Sequence, residues 1–197
     1  MRILIIGPNG TIGSAIVAAL SSEHEVIGAS RSNADIHVDE RDPASIRAMY
    51  EKAGTLDAVI SAAGSGAWKP LADLTDDDFA LSLGYKLMGQ VNVVRYGFAH
   101  VRDGGSITTT SGVLSRQPVP NGAAISLVNS GLEGFTRAAA LEAPRGIRVN
   151  VVSPPWVTET LIAMGSKDLS HGLPAAKVAE AYVRSVMGKE TGQVIEP

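Results

Sequence analysis

Short apolar runs alternate with longer amphipathic stretches along the whole chain. The apolar runs are typical of buried strands, and they occupy residues 3–6, 25–30, 35–39, 57–64, 104–112, 146–155 and 192–196. Between them, apolar positions follow the helical period over residues 11–22, 42–54, 85–102, 122–143 and 174–186. Apolar strands separated by helices predict a parallel sheet that is covered on both faces. We therefore predict one α/β domain over residues 1–197, a doubly wound parallel sheet of about seven strands, with ligands at the carboxyl ends of the strands.

The composition argues against several classes of function. The chain has no cysteine, which excludes disulfides, thiolate zinc sites and a cysteine nucleophile. Seventeen lysines and arginines against twenty aspartates and glutamates give a net charge of −3, which argues against nucleic acid as a partner. The opening MRILII is a poor signal peptide, and no apolar run reaches the ~20 residues of a membrane span. No set of side chains has metal-ligand spacing. We expect a cytoplasmic protein with no metal site and no membrane partner.

A glycine-rich turn, GPNGTIG, joins the first strand to the first helix. Gly7, Gly10 and Gly13 let the chain turn tightly and bring backbone amides close to a pyrophosphate, while the helix N-terminus adds partial positive charge. Asn9 lies in the same turn. In this place between a strand and a helix, the pattern predicts a dinucleotide site of the Rossmann type. The alternative is a glycine-rich turn that binds nothing.

The end of the second strand indicates which dinucleotide is preferred. An NAD site places a carboxylate beside the adenosine ribose, whereas an NADP site needs positive charge for the 2′-phosphate. Here Ser30, Arg31 and Ser32 follow the strand, and no acid occurs before Asp35. Because a guanidinium grips a phosphate through paired hydrogen bonds, we predict NADP, with NAD as the less favoured cofactor. The alternative is that Arg31 is a solvated loop charge.

Taken together, these motifs resemble the short-chain dehydrogenase/reductase superfamily from end to end. The resemblance rests on GPNGTIG, on Asp39, on SAAG at residues 61–64, on Ser111, on RVNVVSPPWV at residues 148–157 and on the closing TGQVIEP. The glycine spacing of two and two residues departs from the commoner three and one, and it matches atypical members. The resemblance implies an oxidoreductase that acts on a small carbonyl or alcohol.

The resemblance also implies roles for individual positions. Asp39 would accept a hydrogen bond from the adenine amino group, and the Val157 amide would bind the nicotinamide carboxamide. The other implied cofactor contacts are the phosphate-lining Gly7, Asn9, Gly10, Thr11, Ile12 and Gly13, the ribose-facing Ser30, Arg31 and Ser32, the wall formed by Ala62, Ala63 and Gly64, and the nicotinamide neighbours Pro154 and Thr158.

The catalytic positions depart from the family pattern. In the family, a serine after the fifth strand orients the substrate, a tyrosine about thirteen residues later transfers the proton, and a lysine four residues further lowers the tyrosine pKa. Counting from Ser111 places the tyrosine at Ala124 and the lysine at Val128. The family's asparagine on the preceding helix corresponds to Lys86. We therefore expect an atypical site whose catalytic residues are Ser111 and Lys86.

Lys86 is the best candidate to replace the missing acid, either as a cation that stabilises an alkoxide or as a proton donor with a pKa lowered by burial. The alternative is a lysine at the surface or at a subunit contact. Ser115, Arg116 and His171 are weaker candidates, on loops that border the expected pocket.

Three functions remain open at this point. The first is an NADP-dependent oxidoreductase with an atypical site, and the second is a non-catalytic NADP(H)-binding regulator or scaffold. The third is a lyase or isomerase that retains the cofactor as structure. Small residues on the two long helices, such as Gly131 and Gly134, and the resemblance itself predict a homodimer or homotetramer formed through these helices.

Overall fold

A seven-stranded sheet forms the centre of the protein. The computed structural model describes all residues from Met1 to Pro197. Every strand pairing is parallel, and the strand order is β3-β2-β1-β4-β5-β6-β7. The strands are β1 (Arg2–Ile6), β2 (Glu25–Ser30), β3 (Ile36–His37), β4 (Leu56–Ser61), β5 (Val101–Thr110), β6 (Arg148–Val152) and β7 (Val194–Ile195). The predicted doubly wound α/β fold with seven parallel strands is confirmed.

Seven α-helices cover the two faces of this sheet. They are α1 (Thr11–Leu20), α2 (Pro43–Ala53), α3 (Asp76–Ser82), α4 (Gly89–Gly97), α5 (Ala123–Glu142), α6 (Thr158–Ala163) and α7 (Ala175–Met187). Alternate strand residues face opposite sides of the sheet, and the buried apolar side chains accordingly form two clusters. One cluster includes residues of α2 and α4, and the other includes residues of α1 and α7.

Local signals in the sequence explain where several helices begin. Asp42 caps α2 by accepting from the Ala44 amide, and Pro43 occupies the first turn, so the start of the helix coincides with the predicted range of 42–54. Thr75 and Asp78 form a reciprocal capping box at the start of α3.

The helix predicted over 85–102 differs most from its prediction. A helical run begins earlier, at Asp76, and passes through a π-helical segment, Leu83–Met88, into α4, which ends at Gly97. Strand β5 then starts at Val101 rather than at residue 104. The π-helical segment adds one residue to a turn, which rotates the side chains that follow it. An amphipathic pattern alone does not reveal this change.

The strand order reverses between β1 and β4, and ligands bind at this kind of switch point in open α/β sheets.

A buried chain of hydroxyl groups holds the neighbouring strand ends together. The Thr110 hydroxyl donates to the Ser61 carbonyl oxygen at 2.6 Å, so its 2.7 Å contact with the Tyr182 hydroxyl must take the phenolic proton. Helix α7 is thereby tied to the ends of β4 and β5, directly below the candidate site.

None of the helices combines the length and the apolarity that crossing a bilayer requires.

Candidate active site

A cleft with two halves lies at the carboxyl ends of the strands. The halves have volumes of about 430 and 390 Å³, and both are lined by Ala62, Ala63 and Gly64, the segment that follows β4. We call them the first and the second half-cleft. The first is also lined by residues from the β1–α1 and β2–β3 connections, and the second by residues that follow β5 and β6. A long ligand can therefore lie across the switch point and reach both halves.

The glycine turn brings the backbone of β1 and α1 unusually close together. A Cβ atom at position 13 would lie 1.9 Å from the carbonyl oxygen of Gly7, so only glycine fits there. Gly7 itself has a φ angle of 83°, and a Cβ on it would lie 3.0 Å from the Ala63 Cβ. Glycine is required at both positions, at Gly7 because of its left-handed backbone conformation and at Gly13 because of the close approach.

Helix α1 begins with backbone donors that have no partner in the protein. Its cap residue Gly10 supplies no side chain, and the first amide with an intrahelical acceptor is that of Ser14, which donates to the Gly10 carbonyl. The amides of Thr11, Ile12 and Gly13 donate to no protein group. Unpaired amides at a helix N-terminus carry partial positive charge and bind anions. Gly7, Asn9 and Gly10 line the first half-cleft beside them, and Ile12 lines the second.

Arg31 lies at the rim of the first half-cleft, together with Ser30 and Ser32. Its guanidinium lies over the ring of Tyr85, 5.5 Å from the ring centroid, and it forms no ion pair with a carboxylate. The Asn9 side chain donates to the carbonyl oxygen of Asn33 at 2.7 Å and so ties the glycine turn to this loop. The rim therefore carries an unpaired cation.

Two acids that follow β2 in the sequence, Asp35 and Asp39, are both engaged elsewhere. The Asp35 carboxylate accepts from the Gly28 amide at 2.8 Å. The Asp39 carboxylate forms an ion pair with Arg41 at 2.5 Å, and the hydrogen bonds from Arg41 lower the pKa of Asp39 to about 2. Asp39, which the sequence predicted to contact adenine, does not line the half-cleft. Neither carboxylate is placed for the role that an NAD site requires.

Glu40, which the sequence analysis overlooked, lines the first half-cleft in its place. Its side chain is buried and accepts from the Ser61 hydroxyl at 2.8 Å. Burial raises the pKa of Glu40 to about 7, although the Ser61 hydrogen bond and the positive charge of Lys86 oppose this shift. The carboxyl group therefore changes its charge near neutral pH, inside the cleft.

Lys86 is the one charged side chain that lines the second half-cleft. Its Nζ lies 3.4 Å from the Thr110 carbonyl oxygen and 3.3 Å from that of Ser111. Burial lowers the pKa of Lys86 to about 8, while the nearby Glu40 carboxylate acts in the opposite direction. The preceding residue, Tyr85, lines the first half-cleft instead, so the π-helical segment presents one side chain to each half.

Ser111 borders the second half-cleft, but its hydroxyl is engaged on the other side of the chain. It donates to the Glu133 carboxylate at 3.1 Å, and the same carboxylate accepts from Ser115 and Arg116. Ser115 and Arg116 do not line the cleft, and His171 is exposed beside Asp168. The Ser111 hydroxyl and its neighbours thus form a buried network that holds α5 against the end of β5, away from the space that Lys86 faces.

The side chains of α5 that face the cleft lie one residue beyond the two positions counted from Ser111. Ala124 and Val128 are fully buried and line neither half-cleft, whereas Ile125 and Asn129 line the second half-cleft. A Cβ built on Gly112, the residue after Ser111, would lie 3.0 Å from the Asn129 Nδ2, so the chain just after β5 packs closely against the cleft-facing side of α5.

The segment after β6 forms the opposite wall. Pro154, Pro155, Trp156 and Val157 line the second half-cleft, and the Val157 amide donates to no protein group. Thr158, predicted as a cofactor contact, does not line the half-cleft. It packs against Gly172 instead, where a Cβ built on the glycine would lie 2.8 Å from the Thr158 Oγ1. No group of three or more histidines, aspartates or glutamates lies close enough to hold a metal ion.

Comparison with known proteins agrees with this geometry. The sequence profile of a family described as enoyl-(acyl carrier protein) reductase matches residues 10–195, which is nearly the whole chain. The chain belongs to this family, within the short-chain dehydrogenase/reductase superfamily of oxidoreductases.

Among curated proteins, the hydroxynaphthalene reductase-like protein Arp2 of Metarhizium brunneum is 33% identical over 130 residues, which cover 64% of this chain and 49% of the relative. The chain thus spans about half the length of that relative. Versicolorin reductase stcU of Emericella nidulans is 27% identical over 195 residues, 86% of this chain and 74% of the relative.

Two solved structures match over the full length of the chain. The protein lin1944 of Listeria innocua is 40% identical with a TM-score of 0.96, covering 100% of this chain and 98% of that one. A small-chain dehydrogenase crystallised with NADPH is 28% identical with a TM-score of 0.90, covering 100% and 96%.

The buried carboxyl group of Glu40 leads to a prediction about stability. Because its pKa in the folded protein, about 7, lies above the ordinary glutamate value of 4.5, its contribution to stability is full below pH 4.5 and is lost as the pH rises through 7. The glutamine of Glu40→Gln cannot ionise. We therefore expect the free energy of unfolding of the variant to exceed that of the wild type by about 3 kcal/mol at pH 8, and by much less at pH 5.

Urea unfolding at the two pH values measures this difference. Glu51→Gln, which alters an exposed carboxylate, is the matched control and should change stability little at either pH. An equal effect of Glu40→Gln at both pH values would contradict the assignment.

Proposed function

We propose that the protein is an NADP-dependent oxidoreductase with an atypical catalytic site, which interconverts a small carbonyl compound and its alcohol. The observation that carries this proposal is the pairing of two anion sites in one cleft. The unpaired amides at the start of α1 suit a pyrophosphate, and the unpaired Arg31 at the rim suits a further phosphate. The match to a dehydrogenase crystallised with NADPH supports the same cofactor.

The residues present fit NADP better than NAD. Asp35 and Asp39 are both engaged by protein groups, and the third nearby acid, Glu40, is buried and accepts a hydrogen bond from Ser61. No exposed, unpaired carboxylate therefore competes with a 2′-phosphate for Arg31. Close approach of the pyrophosphate needs bare backbone, which Gly7 and Gly13 supply. The free Val157 amide is placed to hold the carboxamide at the other end of the cofactor.

The proposal of an atypical site is supported by the side chains that α5 presents to the cleft. The positions that face the cleft from α5, four residues apart, are Ile125 and Asn129. We propose that these are the positions where the family carries its tyrosine and lysine, and neither of the present side chains can transfer a proton. Gly112, one residue after Ser111, faces the same space and has no hydroxyl. The proton must therefore come from another element.

We assign that proton to Lys86. When bound, NADPH supplies the hydride that the carbonyl carbon accepts. The carbonyl oxygen then takes a proton from the Lys86 Nζ, which leaves a neutral amine that regains its proton from solvent. Two N–H groups of Nζ face the Thr110 and Ser111 carbonyl oxygens, so the third is left for the substrate. A pKa of about 8 keeps the group mostly protonated at neutral pH and still able to donate.

A second function, a non-catalytic NADP(H)-binding regulator or scaffold, is favoured by one observation. Ile125 and Asn129 leave α5 without any titratable group at the cleft. Absorbance of the reduced nicotinamide, followed across a panel of small ketones, separates the two functions. Consumption of NADPH supports the oxidoreductase, whereas tight NADPH binding with no consumption across the panel supports the regulator.

The first prediction from this proposal concerns Arg31. Arg31→Ala should weaken NADPH binding roughly 10- to 100-fold, because it removes a charge-assisted contact with the 2′-phosphate, and should leave NADH binding unchanged. Titration calorimetry measures both affinities. Arg47→Ala is the control, since Arg47 lies over Tyr96 and does not line the cleft. An equal loss for both cofactors, or no loss for either, counts against the assignment.

The second prediction concerns Lys86. Lys86→Met should lower kcat for ketone reduction by roughly 10²- to 10⁴-fold, the usual effect of losing a general acid, while NADPH affinity stays within a few fold. In the wild type, kcat for reduction should fall as the pH rises through about 8, because Lys86 loses its proton. Lys86→Arg, which stays charged, should lack this fall. Lys177→Met, which alters an exposed ion pair, is the control; a similar pH profile in Lys86→Met would refute the role.

We also propose that the protein forms a homodimer or homotetramer through the face of the α3–α4 run and α5. Apolar side chains on these elements are exposed, among them Met88 and Leu127. Gly134 is open to contact, whereas Gly131 is already covered by Leu87. Sedimentation should give a mass two or four times that of the chain, and Leu127→Glu should lower it. Leu71→Glu, at an exposed position outside these helices, should not; a monomeric wild type contradicts the proposal.

A further inference from the structure

The chain contains two tryptophans, and they meet at the second half-cleft. Trp68 belongs to the segment after β4, and Trp156 to the segment after β6. Their ring centroids lie 5.9 Å apart at an interplanar angle of 80°. Since β4 and β6 flank β5 in the sheet, the two rings reach toward each other across the end of the strand whose carbonyl oxygens hold Lys86. Only 5% of the residues in the chain are aromatic, so the second half-cleft is notable for containing both tryptophans.

The remaining wall of the half-cleft is mostly apolar, with Asn129 and Thr160 among its few polar side chains. Its other side chains include Val113, Leu114, Ile125, Pro155 and Met164. Trp68 is 38% exposed, so the face of a large aromatic ring is available at the rim. A ligand that covers these side chains must itself be apolar over most of its surface.

The charge of Lys86 determines which polar group such an apolar ligand can carry. Lys86 is the single charge in the half-cleft, and an ammonium group beside apolar walls requires an electron-rich partner. A carbonyl oxygen that becomes negative during reduction is such a partner. Flat rings pack against aromatic faces and edges, and a pair of perpendicular rings offers one of each.

We propose that the substrate is a planar aromatic ketone whose ring packs against Trp68 and Trp156 and whose carbonyl oxygen lies at Lys86. The proposal rests on the proposed function and narrows it to a substrate class. The half-cleft of about 390 Å³ also has to receive the nicotinamide end of the cofactor, so the space left suits one or two fused rings. The hydroxynaphthalene reductase relatives are named for compounds with two fused aromatic rings.

The test compares 1-tetralone, a bicyclic aromatic ketone, with 1-decalone, its saturated counterpart. We expect kcat/KM with NADPH to be at least about tenfold higher for 1-tetralone. In Trp68→Leu and in Trp156→Leu, which keep the wall apolar, this ratio should fall toward one while 1-decalone is still reduced. Trp68→Phe should retain most of the preference. Leu141→Ala, at a 90% exposed position on α5 outside the cleft, is the control and should change nothing.

A binding measurement keeps the substrate class separate from the reaction. Because both tryptophans line the same half-cleft, quenching of their fluorescence reports ketone binding to the NADP-loaded protein without turnover. Tighter binding of 1-tetralone than of 1-decalone, with this preference lost in either leucine variant, supports the aromatic assignment. Absence of any ketone reduction would leave that assignment standing and would count against the oxidoreductase function. Equal binding and equal turnover of the two ketones would overturn the aromatic assignment. A preference that survives both leucine substitutions would overturn the role of the tryptophans. Retained NADPH affinity shows that each variant is folded.

Discussion

The contact between Gly13 and the Gly7 carbonyl oxygen fixes the geometry of the cleft. A side chain at position 13 would begin 1.9 Å from that oxygen, so α1 can start directly at the end of β1 only because the residue is glycine. This short connection points the free amides of Thr11, Ile12 and Gly13 at the switch point, where the strand order reverses. A longer connection would move the partial positive charge of the helix away from the cleft, because that effect is confined to the first turn.

The charged groups of the cleft are divided between its two halves. The first half holds the buried carboxyl group of Glu40, and the second holds the half-buried ammonium group of Lys86. Tyr85 and Lys86 are adjacent on the π-helical segment and face different halves. Glu40 and Lys86 still influence each other, since the Glu40 carboxylate favours the charged form of Lys86 and the reverse also holds. The two half-clefts are thus coupled by charge.

The sequence predicted the fold well because its signals were local. Apolar runs located all seven strands, and Asp42 with Pro43 located the start of α2. The site was predicted less completely, for two physical reasons. The count across the loop after β5 named Ala124 and Val128, which are buried, whereas Ile125 and Asn129 line the cleft. One residue along a helix turns a side chain by about 100°. The sequence gives no sign of where a flexible side chain turns, so the engagement of Asp39 with Arg41 was visible only in three dimensions.

If Lys86 is the acid of the proposed reaction, burial by the ligand makes it a stronger acid, an effect that a tyrosine on α5 would not show. Burial lowers the pKa of Lys86 because desolvation disfavours the charged form. An apolar ring that fills the second half-cleft removes more water from the ammonium and lowers this pKa further, so the group gives up its proton more readily. The negative charge that develops on the carbonyl oxygen acts in the opposite direction until the proton moves. A ligand that covers the walls completely therefore makes Lys86 a stronger acid than one that leaves water beside it, and the apolar walls contribute to proton transfer as well as to binding.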